Sequence, residues 1–212
     1  MRIAIPIFDR ITALDAVGPY EVLARLPGAT IQFLAREPGP QRTETRMLAL
    51  VADGSLDDLP DPDVIVVPGG YGTRPLMHDQ PMLDWLRNAH ATSQWTTSVC
   101  TGSLLLAAAG ILEGLEATTH WLELETLRQY GVTPVTRRVV EQGKVITAAG
   151  VSSGIDMALT LAARIAGDDV AQAIQLGIEY DPEPPFAAGS PSKAPAAIVE
   201  RLRGLAAERA SA

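Results

Sequence analysis

Short apolar runs alternate with stretches of helical periodicity along nearly the whole of this 212-residue chain. Strands that alternate with helices in this way form βαβ units, in which the strands pair in parallel. No internal repeat and no shift of composition divides the chain. We therefore predict an α/β fold with one doubly wound, mostly parallel sheet sandwiched by helices, and a single domain over residues 1–212.

The bounds of the predicted elements follow from where each apolar pattern begins and ends. The predicted strands are Arg2–Phe8, Ala29–Ala35, Asp63–Val67, Trp95–Val99, Ala117–His120 and Lys144–Ala148. The predicted helices are Val17–Leu26, Met82–Ala91, Thr101–Ala109, Leu122–Tyr130, Ile155–Ile165, Asp168–Tyr180 and the amphipathic segment Ala196–Arg209. We expect a turn at Glu37–Pro40 and a proline-rich excursion without periodicity at Asp181–Pro195.

The balance of charges narrows the range of partners. The chain has 17 Lys and Arg residues against 25 Asp and Glu residues, which gives a formal net charge of −8. Such a surface repels phosphate backbones, so we expect no nucleic-acid partner. The apolar run Met1–Phe8 is too short to span a bilayer, and no small-residue cleavage site follows it. We therefore expect no membrane partner and a cytoplasmic location.

The only cysteine of the sequence, Cys100, lies between a β-branched strand and a helix, in the segment Ser98–Gly102. A lone cysteine forms no internal disulfide and is a poor basis for a metal site, so we predict no metal. Unpaired amides and the dipole at a helix N-terminus favour a thiolate. We therefore predict a lowered pKa and a nucleophilic role for Cys100. The alternative is a buried, inert cysteine.

A glycine-rich turn, Pro68–Gly72, follows the predicted strand Asp63–Val67. In parallel sheets the loops at the carboxyl ends of the strands converge on one site. The amides of Gly70 and Thr101 would then form an oxyanion hole. The alternative is a tight strand exit that needs positive φ angles. The turn is not a phosphate-binding loop, because the lysine of that motif is missing.

Asp15 follows the first predicted strand and would bring a carboxyl group near Cys100. A carboxylate and a thiolate in contact repel each other, so one of them tends to hold a proton, which suits the pair to proton transfer. Alternatively, Asp15 caps the helix that follows it. His120 either faces the site or is a structural histidine whose hydrogen bonds are satisfied.

Residues that flank these motifs are expected to line a substrate pocket. Gly69 and Tyr71 belong to the glycine-rich turn, and His120 and Trp121 follow a predicted strand. Val151 comes directly after a glycine and precedes an apolar helix.

Taken together, these motifs resemble the DJ-1/PfpI superfamily over nearly the whole chain. The resemblance rests on Leu14–Pro19, Pro68–Gly70, Ser98–Ser103, Ala117–Trp121 and Ser153–Leu161. It implies a flavodoxin-like fold, related to that of class I glutamine amidotransferases, a homodimer with sites near the subunit interface, and no cofactor. It also implies that Cys100 is the nucleophile and that Asp15 is its acidic partner.

Within the superfamily the chain is most similar to the isocyanide hydratases, chiefly through the proline-rich tail Glu179–Pro191. Many members carry glutamate where this chain has Asp15. Members with protease or glyoxalase-type activity usually place histidine near the cysteine, and this chain has Thr101 at the next position. The similarity implies that a small-molecule isocyanide is hydrated to an N-substituted formamide through a covalent cysteine thioimidate.

Two other functions would use the same cysteine. A glyoxalase or deglycase acting on reactive carbonyls needs a base to move a proton between carbons, and His120 is the candidate. A redox sensor would oxidise Cys100 to a sulfenic or sulfinic acid. The first five motifs also occur in sensor domains of AraC-type regulators. No basic helix-turn-helix region follows them here, so we do not expect direct gene regulation.

Overall fold

The structure is a computed structural model that describes residues 1–210. The strands are β1 Arg2–Pro6, β2 Thr30–Ala35, β3 Gly39–Arg42, β4 Ala49–Ala52, β5 Gly54–Ser55, β6 Val64–Val67, β7 Trp95–Val99, β8 Glu116–Ala117, β9 Thr133–Pro134, β10 Val139–Gln142 and β11 Val145–Ala148. The α-helices are α1 Ala13–Leu23, α2 Thr73–Leu76, α3 Gln80–Thr92, α4 Gly102–Ala108, α5 Leu124–Arg128, α6 Ser153–Ala166, α7 Asp168–Gly177 and α8 Ala196–Ala210.

A seven-stranded sheet forms the centre of the fold, in the order β10-β11-β7-β6-β1-β2-β5. Neighbouring strands are parallel except β10 and β11, which pair antiparallel at one edge. Two smaller pairs lie outside this sheet, an antiparallel β3–β4 hairpin and a short parallel β8–β9 pair. The prediction of a doubly wound, mostly parallel sheet is therefore confirmed.

Helices cover both faces of the sheet, so its central strands are buried on both faces. On β7, Thr96 bonds to His90 of α3 on one face, while Val99 packs against Gly154 of α6 on the other. The four residues of β6 are fully buried. Since β1, β6, β7 and β11 run in parallel, the loops after their carboxyl ends meet at one edge of the sheet.

Helix α1 begins four residues earlier than predicted. Its N-cap is Thr12, whose carbonyl accepts a hydrogen bond from the Asp15 amide at 3.1 Å. Asp15 therefore lies in the first turn of α1, and the interpretation of this residue as the cap is wrong. Its side chain is free to point into the protein instead.

The predicted strand Ala117–His120 is wrong beyond Ala117. Thr118 and Thr119 do not continue the strand, because they bond to side chains or loop backbone instead. The Thr118 amide donates to Thr147 Oγ1, and Thr119 Oγ1 donates to the Cys100 carbonyl. The turn predicted at Glu37–Pro40 overlaps the first strand of the β3–β4 hairpin. That hairpin was not predicted, because its exposed strands lack a regular apolar pattern.

The contacts within the chain divide it into two compact units, Met1–Ile178 and Glu179–Ala212. The second unit contains no regular element before α8, in agreement with the predicted excursion, and α8 matches the predicted amphipathic segment. Whether the two units behave as one domain stays a prediction. Across residues 1–210, no helix is both long enough and apolar enough to cross a bilayer.

The fold depends on a glycine where α4 crosses the exit of β6. A Cβ atom added to Gly102 would lie 2.0 Å from the Val67 carbonyl oxygen, which is backbone and cannot move aside easily. We expect Gly102→Ala to lower the free energy of unfolding by about 3 kcal/mol, as measured by urea denaturation. Gly177→Ala is the control, because a Cβ there meets nothing within 4 Å. Equal stability of the two variants would contradict this account.

Candidate active site

Cys100 lies on a strained turn between β7 and α4. Its φ angle is +55°, a conformation that costs a non-glycine residue about 1–3 kcal/mol. Four hydrogen bonds hold this backbone in place. The Cys100 amide donates to the carbonyls of Ala148 and Ala149 at 3.1 and 3.0 Å, and its carbonyl accepts from Thr119 and Ser103 side chains at 3.0 and 3.1 Å. The cysteine is thus fixed at the carboxyl edge of the sheet.

The Asp15 carboxyl lies beside the Cys100 thiol and is completely buried. Its Oδ2 atom accepts a hydrogen bond from the Gly69 amide at 3.0 Å. Its Oδ1 atom makes no hydrogen bond of good geometry with any residue among 1–210. The approach is possible because position 69 is glycine, where a Cβ would come within 2.6 Å of the Thr101 amide nitrogen. The predicted meeting of Asp15 and Cys100 therefore occurs.

Burial controls the ionisation of this pair. Loss of solvent raises the pKa of Asp15 to about 8, opposed by the Gly69 amide and the nearby thiol, while the charge of Glu44 adds to the rise. The pKa of Cys100 is also raised, first by burial and then by the Asp15 charge. Amides of Val151 and Thr101 lower it, but by less. The predicted fall in the pKa of Cys100 is wrong, because the thiol is only 5% exposed.

The amide donors near the sulfur differ in part from those predicted. The Gly70 amide donates to Thr101 Oγ1 at 2.9 Å, so it is bonded to a side chain in this structure, and its role in an oxyanion hole stays a prediction. Gly70 has φ +129° and packs against the backbone of Arg10 and Thr12, which agrees with the alternative of a tight strand exit. The amides that interact with Cys100 are those of Thr101 and Val151. Val151 was expected only as a pocket residue.

His120 packs beside this donor rather than against the thiol. A Cβ on Gly150 would lie 2.7 Å from His120 Cδ2, so the ring rests directly on the residue before Val151. Its Nδ1 atom accepts from the Leu122 amide at 3.4 Å. Burial lowers the pKa of His120, which keeps the ring neutral at neutral pH. These contacts favour the interpretation of His120 as a structural histidine.

The remaining predicted pocket residues lie in the same loops. Trp121 has its ring centroid 5.9 Å from that of His120, and the guanidinium groups of Arg10 and Arg74 lie 5.7 and 5.1 Å from the Tyr71 ring centroid. Two surface cavities of about 370 and 360 Å³ are lined by other residues, and neither touches Cys100 or Asp15. The lining of the substrate pocket therefore stays a prediction.

Several residues of the site were not predicted as such. Thr119 and Ser103 fix the Cys100 carbonyl, and Gly150 makes room for His120. Thr119 belongs to the motif Ala117–Trp121, and Ser103 belongs to the motif Ser98–Ser103. That signal could have identified them, whereas their contact with a carbonyl depends on the fold.

This geometry can be compared with known proteins. The model of the DJ-1/PfpI family matches residues 1–164. The chain belongs to the DJ-1/PfpI family. It is 45% identical to isonitrile hydratase of Pseudomonas putida over 207 residues, which cover 98% of this chain and 90% of that protein. A solved structure of a ThiJ/PfpI family protein from Pseudomonas syringae matches with a TM-score of 0.94 and 37% identity, covering 98% of this chain and 86% of that one.

More distant members of the family include a transcriptional regulator. The HTH-type transcriptional regulator CdhR of Pseudomonas aeruginosa is 31% identical over 172 residues, which cover 79% of this chain and 50% of that protein. The crystal structure of Drosophila melanogaster DJ-1beta has a TM-score of 0.77 at 20% identity and covers 85% of this chain and 98% of that one. At that identity the match supports the fold alone.

The coupling between the two groups predicts the effect of neutralising Asp15. The thiol ionises above pH 8, where Asp15 carries its charge, so Asp15→Asn should lower the pKa of Cys100. The pH dependence of alkylation by iodoacetamide measures this value, and the single cysteine makes the reading unambiguous. Asp84→Asn, on the exposed side of α3, is the matched control. An unchanged or higher pKa in Asp15→Asn would mean that the two groups are not coupled.

Proposed function

We propose that this protein is an isocyanide hydratase, which adds water to an organic isocyanide, R–N≡C, and releases an N-substituted formamide. The observation that carries the proposal is the buried Cys100–Asp15 pair, in which the carboxyl interacts with the thiol and its Oδ1 atom makes no hydrogen bond of good geometry within residues 1–210. Similarity supports it, because isonitrile is another name for isocyanide and the chain is 45% identical to an isonitrile hydratase over 98% of its length.

In the first step, the Cys100 sulfur forms a bond to the terminal carbon of the isocyanide. Asp15 delivers a proton to the same carbon, and the product is a covalent thioimidate, Cys–S–CH=N–R. The net result is that the isocyanide carbon gains one bond to sulfur and one bond to hydrogen. The step therefore requires that the pair hold one shared proton, either on sulfur or on the carboxyl group.

In the second step, ionised Asp15 takes one proton from water and passes it to the nitrogen, while the water oxygen attacks the thioimidate carbon. The tetrahedral adduct, Cys–S–CH(OH)–NH–R, then collapses: the hydroxyl proton goes to Asp15, the carbon–sulfur bond breaks with its electron pair on sulfur, and R–NH–CHO leaves. Sulfur and Asp15 together regain the one proton with which they began. The amides of Thr101 and Val151, which lie close to the sulfur, are suited to stabilising negative charge on the adduct.

A buried site suits this substrate. An isocyanide carries no net charge, so its entry into an apolar pocket needs few polar partners. Exclusion of water keeps the pKa of Asp15 near 8, so the carboxyl group can donate a proton at physiological pH. The route uses only side chains and backbone amides of the chain and calls for no cofactor.

The glyoxalase alternative is less well supported by the site. That reaction needs a base beside the cysteine, and His120 was its candidate. The Nδ1 atom of His120 already accepts from the Leu122 amide, which leaves the proton on Nε2, and the ring rests on Gly150. His120 in this state is a donor and a packing group rather than a base.

Assembly and location remain predictions of the family resemblance. We propose a cytoplasmic homodimer in which each subunit carries its own Cys100 and Asp15. Light scattering coupled to size exclusion would give twice the mass of the chain for a dimer and the mass of one chain for a monomer.

The activity is tested directly with cyclohexyl isocyanide, by following formation of the formamide. We expect turnover by the wild type and a loss of at least about 10³-fold in Cys100→Ser, since the covalent step is removed. Intact-mass spectrometry of the wild type should show a gain equal to one isocyanide molecule, because nothing leaves in the first step. Absence of turnover would remove the activity, and undiminished turnover by Cys100→Ser would remove the mechanism.

The pH dependence follows from the raised pKa of Asp15. Below about 8 both groups hold protons and the sulfur is not nucleophilic, whereas above that value the pair has lost one proton. We expect kcat/KM to rise about tenfold per pH unit up to about pH 8 and then to level off. Asp15→Asn should abolish this step in the profile. A kcat/KM that falls between pH 6 and pH 8 would contradict the assignment.

A further inference from the structure

An ion pair joins the two loops that flank Cys100. Arg74 follows the glycine-rich turn after β6, and Glu123 ends the 3-10 turn Trp121–Glu123 that comes after β8. Their side chains form a salt bridge and are 39% and 21% exposed. The pair therefore lies near the surface, whereas Cys100 is almost fully buried.

On one side, Arg74 is tied to the loop that carries Gly70. Its Nη1 atom donates to the Gly70 carbonyl at 3.0 Å and to Thr73 Oγ1 at 3.2 Å. The amide of the same Gly70 donates to Thr101 Oγ1, next to the cysteine. The position of Arg74 is thus coupled to the backbone at Cys100 through a single glycine.

On the other side, Glu123 is tied to the loop that carries His120. The Glu123 amide donates to the His120 carbonyl at 2.8 Å, and its free carboxyl oxygen accepts from Thr126 at 2.8 Å. The His120 ring rests on Gly150, which precedes the amide donor Val151. A continuous series of contacts therefore runs from the residue after Cys100 through both loops to the amide beside the Cys100 sulfur.

We propose that the Arg74–Glu123 ion pair determines the size of the R group that reaches Cys100, by holding the two loops at a fixed separation. This inference rests on the proposed hydratase function for the identity of the substrate. With the pair intact, compact isocyanides are favoured. With the pair broken, the loops separate and bulky alicyclic or aryl isocyanides gain access.

The expected size of the effect follows from the exposure of the pair. Partly exposed ion pairs contribute little free energy, so breaking this one should shift the opening equilibrium by about threefold to fivefold. A change of that size has little effect on stability but is easily measured as a ratio of reaction rates. We expect the rates of bulky reagents to change and those of compact reagents to stay the same.

Because Cys100 is the only cysteine, its labelling by maleimides tests the proposal without any isocyanide. N-methylmaleimide and N-cyclohexylmaleimide carry the same reactive group and differ only in bulk. In Glu123→Gln we expect the rate constant for the cyclohexyl reagent to rise about threefold to fivefold and that for the methyl reagent to change less than about twofold. Wild type in about 1 M NaCl should shift in the same direction, because salt screens the pair.

Glu125→Gln is the matched control, since Glu125 lies on neighbouring α5 and pairs with Arg128 on the exposed surface. It should leave both rates at wild-type values. Equal factors for the two reagents in Glu123→Gln would indicate a changed thiol pKa and overturn the proposal, as would no change at all in the variant and in high salt.

The substrate itself gives the second readout. In Glu123→Gln we expect KM for cyclohexyl isocyanide to fall relative to KM for methyl isocyanide, with kcat for the methyl compound retained. If the wild type hydrates neither compound, the proposed function fails, and the labelling ratio still decides whether the ion pair controls access. If hydration proceeds and both KM values are unchanged, the ion pair has no role in selecting the R group.

Discussion

Withdrawal of the Asp15 carboxyl from water is the constraint on which the site depends. Burial raises the pKa of Asp15 to about 8, because the Gly69 amide and the nearby thiol offset only part of the cost of removing the carboxylate from water. An ordinary aspartate ionises near 4 in the unfolded chain. Stability is therefore highest in acid with respect to this group and falls as the pH rises from 4 to 8, by an amount on the order of 5 kcal/mol. Such a loss is tolerated where it keeps a proton donor available.

Three glycines allow the close packing that removes the Asp15 carboxyl from water. Gly69 lets Asp15 and Thr101 both pack closely against it, Gly102 lets α4 begin against the Val67 carbonyl, and Gly150 lets the His120 ring lie beside Val151. Each of these positions would bring a Cβ within 2.7 Å of another group. The loops after β6, β7 and β11 can thus meet closely enough to exclude water from the sulfur.

The order of the strands and helices, and the pairing of Cys100 with Asp15, were predictable because they depend on local sequence patterns. Strands β1, β6, β7 and β11 alternate with helices along the chain, which predicts a parallel sheet, and a parallel sheet brings Asp15, the glycine-rich turn and Cys100 to one edge. The ionisation of the thiol was not predictable. A helix start favours the thiolate, but burial and the Asp15 charge oppose it, and both depend on packing from distant loops. The hydrogen bond from the Gly70 amide to the Thr101 side chain was not predictable for the same reason, since the fold brings the two residues together.

A raised pKa on both partners is compatible with a nucleophilic role once the two groups are considered together. Separate ionisation of the thiol would leave a bare thiolate in an apolar site, which burial disfavours. Loss of one proton from the pair avoids this, because the remaining proton is shared between sulfur and carboxyl and the charge is spread over both. The Thr101 and Val151 amides then stabilise the form of the pair in which the negative charge is on sulfur. In the proposed reaction, attack on an uncharged carbon would consume that charge at the moment when the same proton is needed on the substrate. The pair would then couple nucleophile and acid through a single proton, provided that water is excluded from the site.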